Sequence, residues 1–180
     1  AKGKMDGGEF VRKVQFHLAN KNVDAAIAEC DKQAGSVGNV MRAGLVKYKE
    51  MIHATDLDTD QKIAGIQKEI EEATALELPM LEKNLVFLST IASSATLLGL
   101  FGTVLGMIRS FAAMANAGAP DAAALAAGIS EALINTALGI GTSFFSILFY
   151  NLFTTIIDGV TYSIDESGFT LTQSFASTHK

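Results

Sequence analysis

The chain has 180 residues, 49% of them apolar and 18% charged, with a formal net charge of −5. That acidic balance, with no basic patch and no aromatic ladder, argues against a nucleic-acid partner. A lone cysteine, Cys30, excludes an intrachain disulfide and fits a reducing compartment.

Charge is spread unevenly. Of the 14 Lys and Arg, 12 lie before Leu85, as do 14 of the 19 acids, and from Leu85 onward only Arg109 and Lys180 are basic. Residues 1–84 therefore read as a water-soluble, near-neutral segment. Residues 1–8, AKGKMDGG, read as a short flexible connection with no signal-peptide pattern, as if the chain starts in the middle of something.

From Glu9 the pattern is helical. Phe10, Val14, Phe16 and Leu18 alternate with Arg12, Lys13 and Gln15, and a second run places Val23, Ala26, Ile27 and Cys30 on one face. Gly35, Ser36, Gly38 and Asn39 predict a turn with caps. Val40, Met41, Leu45, Val46 and Met51 predict a third amphipathic helix. Asp56, Asp58 and Asp60 resemble the opening of a calcium loop, but the glycine and the closing glutamate are missing, so they read as an acidic helix N-terminus. Residues 61–78 carry Ile63, Ile66, Ile70, Ala73 and Leu76 or Glu77 at helical spacing, in a solvated helix that Pro79 can kink or restart.

Leu85 to Ile108 is 24 residues without charge or proline. At about 1.5 Å per residue it is long enough to cross a bilayer core of roughly 30 Å. At about 100° per residue, Ser89, Ala92, Ser93, Thr96, Thr103 and Ser110 share roughly a third of the circumference. Gly99, Gly102 and Gly106 sit beside that face as candidate helix-packing residues, the last two at GxxxG spacing. Two readings stay open: hydroxyls that bond their own backbone and glycines that fit neighbouring helices, or a packed and partly hydrated interior.

After Arg109 comes a small-residue stretch, expected as a short extracytoplasmic loop over 109–128, with Gly118 and Pro120 as the turn and Asp121 as the N-cap of the next helix. That helix leads into a second span over 129–157, of which Leu133 to Ile157 is uncharged. With two spans both ends lie on one side, and the Lys and Arg count places residues 1–84 and the tail, 158–180, in the cytoplasm. The tail is expected to begin as a helical extension and end frayed. On the second span Glu131, Asn135, Thr136, Gly139, Thr142, Ser143, Ser146, Tyr150 and Thr154 fall within about 140°. Glu131 either reaches headgroup water or faces a bundle interior where a carboxyl can exchange protons; its continuity with Asn135 and Thr142 favours the interior.

Enzyme chemistry is not visible. His17, His53 and His179 are far apart in sequence, so neither a metal site nor a histidine base for the many hydroxyls is indicated. The glycines of the first span lie inside an apolar run, not between a strand and a helix, and do not form a phosphate loop. No cofactor is implied.

LGLFGTVLGMIRSF at 98–111, LAAGISEALINTALGI at 125–140 and FYN at 149–151 together resemble the MotA/TolQ/ExbB proton-channel family, its ExbB branch most nearly. The resemblance covers about residues 81–151, with weaker similarity at VDAAIAEC and AGLVKY. It implies an all-α polytopic membrane protein with long helices extending into the cytoplasm, a first span preceding residue 1, and assembly as a pentameric homo-oligomeric ring. It further implies an ExbD-like single-span partner in the ring's pore and a TonB-like client, driven by the proton gradient for outer-membrane transport of iron chelates and vitamin B12. By motif position Thr103 and Thr136 are the pore-facing threonines and Glu131 the acid at the mouth of the last span, with Asn135 and Thr142 on the same face. Thr96 and Phe145 stand where relatives often have proline, which puts helix bends there in doubt. A TolQ-like or other stator with a different client, and a non-conducting membrane scaffold, remain as alternative readings.

Overall fold

A computed structural model of the chain describes residues 7–116, 118 and 121–179. Six helices follow in order: α1 (Gly7–Ala19), α2 (Val23–Gln33), α3 (Ser36–His53), α4 (Thr59–Glu82), α5 (Leu85–Asn116) and α6 (Ala122–Thr178). Among the described residues the fold is all helical. They divide into two compact units, one of residues up to Glu82 together with Ile156 onward, the other Lys83–Thr155. Most of the N-terminal connection, residues 1–6, and Pro120 of the expected turn lie outside the described residues; Gly118 adopts φ +68.

The first unit is built as a soluble domain is. Phe10, Val14 and Leu18, spaced four apart on α1, are buried with Cys30 of α2, Val40, Met41 and Leu45 of α3, and Ile66 and Ile70 of α4. Asn22 caps α2, its side chain accepting from Ala25 N at 3.1 Å. The turn before α3 differs from expectation. Ala34, in the left-handed region at φ 47, closes α2, and Gly35 is the N-cap of α3, so Gly38 and Asn39 lie inside that helix. Gly38 is needed there because a Cβ would stand 3.0 Å from the Cys30 carbonyl. Gly44 is where α3, α4 and the end of α6 converge: its Cβ would meet Leu171 at 2.7 Å and Ile70 at 2.8 Å.

The acidic run before α4 forms a capping box. Asp58 Oδ1 accepts from Gln61 N at 2.7 Å, and Gln61 Oε1 accepts from Asp58 N at 3.1 Å. Pro79 does not break α4, which continues to Glu82 before a turn at residues 83–84; so near the C-terminus it costs one backbone hydrogen bond. Phe16, Val46 and Leu76, expected on apolar faces, are 64%, 44% and 74% exposed.

The tail corrects the expectation of a frayed end. Residues 156–178 are helical, and Ile164, Leu171 and Phe175 are fully buried in the domain core. Phe175 meets Tyr48 edge to face at 4.9 Å and stacks on His179 at 4.7 Å. Thr59 donates to the His179 carbonyl at 3.3 Å. Burying one such aromatic is worth about 1.5–3 kcal/mol, enough to hold a serine-rich last turn. Burial pushes the Cys30 thiol up to about 12 and raises the Tyr48 phenol above its ordinary value.

The second unit inverts this pattern. No residue of α5 is buried, and Phe87, Leu98, Phe101, Leu138 and Phe144 are 60% exposed or more. Small residues face inward instead. Among the described residues two helices are long and apolar enough to cross a membrane. Helix α5 continues past Ile108 to Asn116 and α6 opens at Ala122, where Asp121 accepts from Ala123 N at 3.0 Å and Ala124 N at 3.2 Å, so most of the stretch 109–128 is helical.

Candidate functional site: a hydroxyl seam and its flanking groove

Helices α5 and α6 approach closely, backbone to backbone, where Gly99 meets Gly139. A Cβ on Gly99 would lie 2.9 Å from the Gly139 Cα and 2.7 Å from the Asn135 carbonyl, and a Cβ on Gly139 would lie 2.7 Å from the Ala95 carbonyl. Glycine is the residue that permits this approach. Gly106 faces Ala132, to whose Cβ a Cβ on Gly106 would come within 2.7 Å, and a Cβ on Gly102 would lie 3.1 Å from that of Asn135. Gly99 and Gly106 thus lie against α6 in the seam and Gly102 at its edge beside Asn135, with Gly139 opposite Gly99. On α5 the approach to α6 backbone is tighter at Gly99 than at either glycine of the GxxxG pair.

On this scaffold the seam carries hydroxyls. Thr103 Oγ1 lies 3.0 Å from the Ala132 carbonyl and 3.1 Å from the Gly99 carbonyl, and it is in hydrogen-bond contact with Thr136 Oγ1. Ser143 Oγ donates across the seam to the Ala92 carbonyl. The two threonines named from the motif are therefore direct partners. Ser143 was legible on the polar face but not as a cross-helix donor. Its signal was its place four residues after Gly139, on the same side of the helix.

Other hydroxyls turn to their own helix. Ser93 donates to the Ser89 and Thr90 carbonyls at 3.3 and 3.1 Å, Ser110 to Gly106 at 3.0 Å, Thr142 to Leu138 at 2.8 Å and Thr154 to Tyr150 at 2.9 Å. For these residues the helix-internal reading holds.

Glu131, Asn135 and Thr142 are not in the seam. All three are exposed, and they line a groove along its flank. One part of the groove, about 430 Å³, is walled by Leu98, Gly99, Gly102, Asn135, Leu138 and Thr142. The next, about 230 Å³, shares Gly102 and Asn135 and adds Gly106, Arg109 and Glu131. Glu131 is exposed on this groove within one chain, while the seam beside it is lined by Gly, Ala, Ser and Thr. Adjacent residues on a helix point about 100° apart, so Thr136 turns to the seam and Asn135 to the groove.

The arrangement offers hydroxyl and amide groups and one carboxylate along an apolar helix pair. Among the described residues no cluster of three His, Cys, Asp or Glu side chains could hold a metal ion. Such groups can hold water and exchange hydrogen bonds with it.

The profile of the MotA/TolQ/ExbB proton channel family matches residues 33–166, which contain the whole seam and groove. The chain belongs to that family. It is a family of channels, not of enzymes. As a MotA/TolQ/ExbB family member the chain is 34% identical over 160 residues to the Tol-Pal system protein TolQ of Pseudomonas aeruginosa, covering 80% of this chain and 69% of that one. It is 41% identical over 86 residues to a putative biopolymer transport protein, ExbB-like 3, of Synechocystis, covering 47% of this chain and 41% of the relative. With the biopolymer transport protein ExbB of Pseudomonas putida it shares 39% identity over 80 residues, 44% of this chain and 24% of the relative. The chain thus spans about two thirds of the TolQ relative and less than half of the two ExbB relatives.

Proposed function

We propose that this chain is the ring-forming subunit of a proton-driven motor in the bacterial inner membrane. Helices α5 and α6 cross the bilayer, the bulk of the soluble part lies in the cytoplasm, and copies assemble as a pentamer around the single span of an ExbD-like partner. The observation that carries this reading is the direct hydroxyl contact of Thr103 with Thr136, beside a groove lined by Glu131, Asn135 and Thr142. Hydroxyls hold water for a proton without carrying charge, and about 2.3 kcal/mol is released per charge per 100 mV crossed. In the ring the open groove is covered by a neighbouring copy or by the partner span, which gives Glu131 the interior that one chain lacks.

The client is a TonB-like protein, so that the motor energises outer-membrane uptake of iron chelates and vitamin B12. A second reading, a TolQ-like stator with another client, is supported by the match to the Pseudomonas aeruginosa TolQ, which extends over 80% of the chain.

The test is complementation by the full-length protein in cells lacking ExbB, and separately in cells lacking TolQ. Restored iron-chelate uptake in the first, abolished by Thr136→Ala at normal membrane level and assembly, supports the TonB reading. Rescue of the second strain alone moves the client to the Tol system. Undiminished function in Thr136→Ala would make the hydroxyl pair packing only and favour a scaffold.

A further inference from the structure

Between Leu85 and Ile157 the sequence has three charged side chains, Arg109, Asp121 and Glu131. Asp121 is accounted for, since its carboxylate caps α6. The other two, from different helices and 22 positions apart in sequence, line the same recess of the groove with Gly102, Gly106 and Asn135. Arg109 is exposed, and it is the one Lys or Arg from Leu85 through His179. A guanidinium does not shed its proton, so it cannot neutralise itself when a covering chain removes water; it then needs an anion. Among the described residues Glu131 is the one carboxylate that lines that recess.

We propose that Arg109 is the counter-charge of Glu131, and that the pair seals the Arg109 end of the groove against ions other than the proton. This rests on the reading of Glu131 as the acid of a proton path. Protonation of Glu131 discharges the carboxylate and releases the guanidinium; loss of the proton restores the pair. While Glu131 is protonated, the fixed positive charge of Arg109 stands uncompensated on the recess and repels hydrated sodium or potassium. Arg109 is in this account a positioning residue that acts through Glu131.

The experiment uses the full-length chain with its single-span partner, reconstituted in lipid vesicles, with passive sodium leak under an imposed potential as the readout. Arg109→Gln is expected to raise the leak severalfold, Arg109→Lys to keep the native seal, and Arg109→Glu to leak most. The charge swap Arg109→Glu with Glu131→Arg is expected to be tighter than Arg109→Glu alone. A seal in Arg109→Gln equal to the native one, or a swap no tighter than Arg109→Glu, overturns the pair. Where Arg109→Glu fails to assemble, recovery of assembly in the swap supports the pair and its absence overturns it. Proton current in the same native vesicles is scored separately: its absence defeats the motor reading, whatever the sodium seal does.

Discussion

Thr103 and Thr136 meet hydroxyl to hydroxyl across the seam between α5 and α6, while Asn135, one residue before Thr136, lies along the flanking groove with Glu131 and Thr142. A polar face that looks continuous on a helical projection is thus divided in two by the neighbouring helix, one part closed and one open.

The closed part predicts a graded response at Thr136. Thr136→Ser keeps the hydroxyl and should retain proton-driven transport. Thr136→Val keeps the shape and should lose most of it. Thr103 still has the Ala132 and Gly99 carbonyls, so the lost hydrogen bond costs only about 0.5–1.5 kcal/mol and assembly should survive. Transport assayed beside membrane level and complex recovery checks this; equal transport in both variants would contradict it.

Glycines on one helix should differ sharply. A Cβ at Gly139 collides with backbone of α5, whereas nothing lies within 4 Å of one at Gly141. Gly139→Ala should lower the thermal stability of the purified complex and its yield, while Gly141→Ala leaves the α5–α6 pair intact. Melting of both variants in detergent tests the contrast.

Much of this fold was legible in the sequence, and what was missed has physical causes. Ile66 and Ile70 were readable because lysines and glutamates flank them, so the apolar stripe stands out. Ile164, Leu171 and Phe175 form an equally regular stripe, but Ser, Thr, Asp and Glu between them gave the tail a polar average. The hydroxyl side of α5 followed from its period. Its division did not, because that depends on which glycines meet, and nothing in either helix alone says that Gly99 opposes Gly139.

The buried tail gives a paired stability prediction. Phe175→Ala removes a fully buried ring and should destabilise the helical domain by about 3–5 kcal/mol. Phe169, 69% exposed on the same helix, should tolerate alanine within about 0.5 kcal/mol. Denaturant unfolding followed by circular dichroism distinguishes the two; equal effects would contradict the burial of the tail.

Cys30 predicts a pH dependence. Its thiol is raised from the ordinary 9.0 to about 12, chiefly by burial. The folded state therefore holds the proton more tightly than the unfolded chain. The associated stability is fully present below about pH 9 and is lost as pH rises toward 12. Alkylation of the folded protein near pH 8 should be roughly a thousandfold slower than that of the unfolded chain from the thiolate fraction alone. Cys30→Ala should flatten the alkaline part of the stability curve; an unchanged slope would contradict the assignment.

Thr90, Ser93, Ser94 and Thr142 are exposed, and each gives its hydroxyl hydrogen to a carbonyl of its own helix, at 2.6 to 3.3 Å. What remains directed outward is lone pairs. The helix pair therefore turns toward its surroundings a set of acceptors whose own donors are already spent, and whatever lies against these positions must bring the hydrogen: a water molecule, an amide, or a carboxyl group in its acid form.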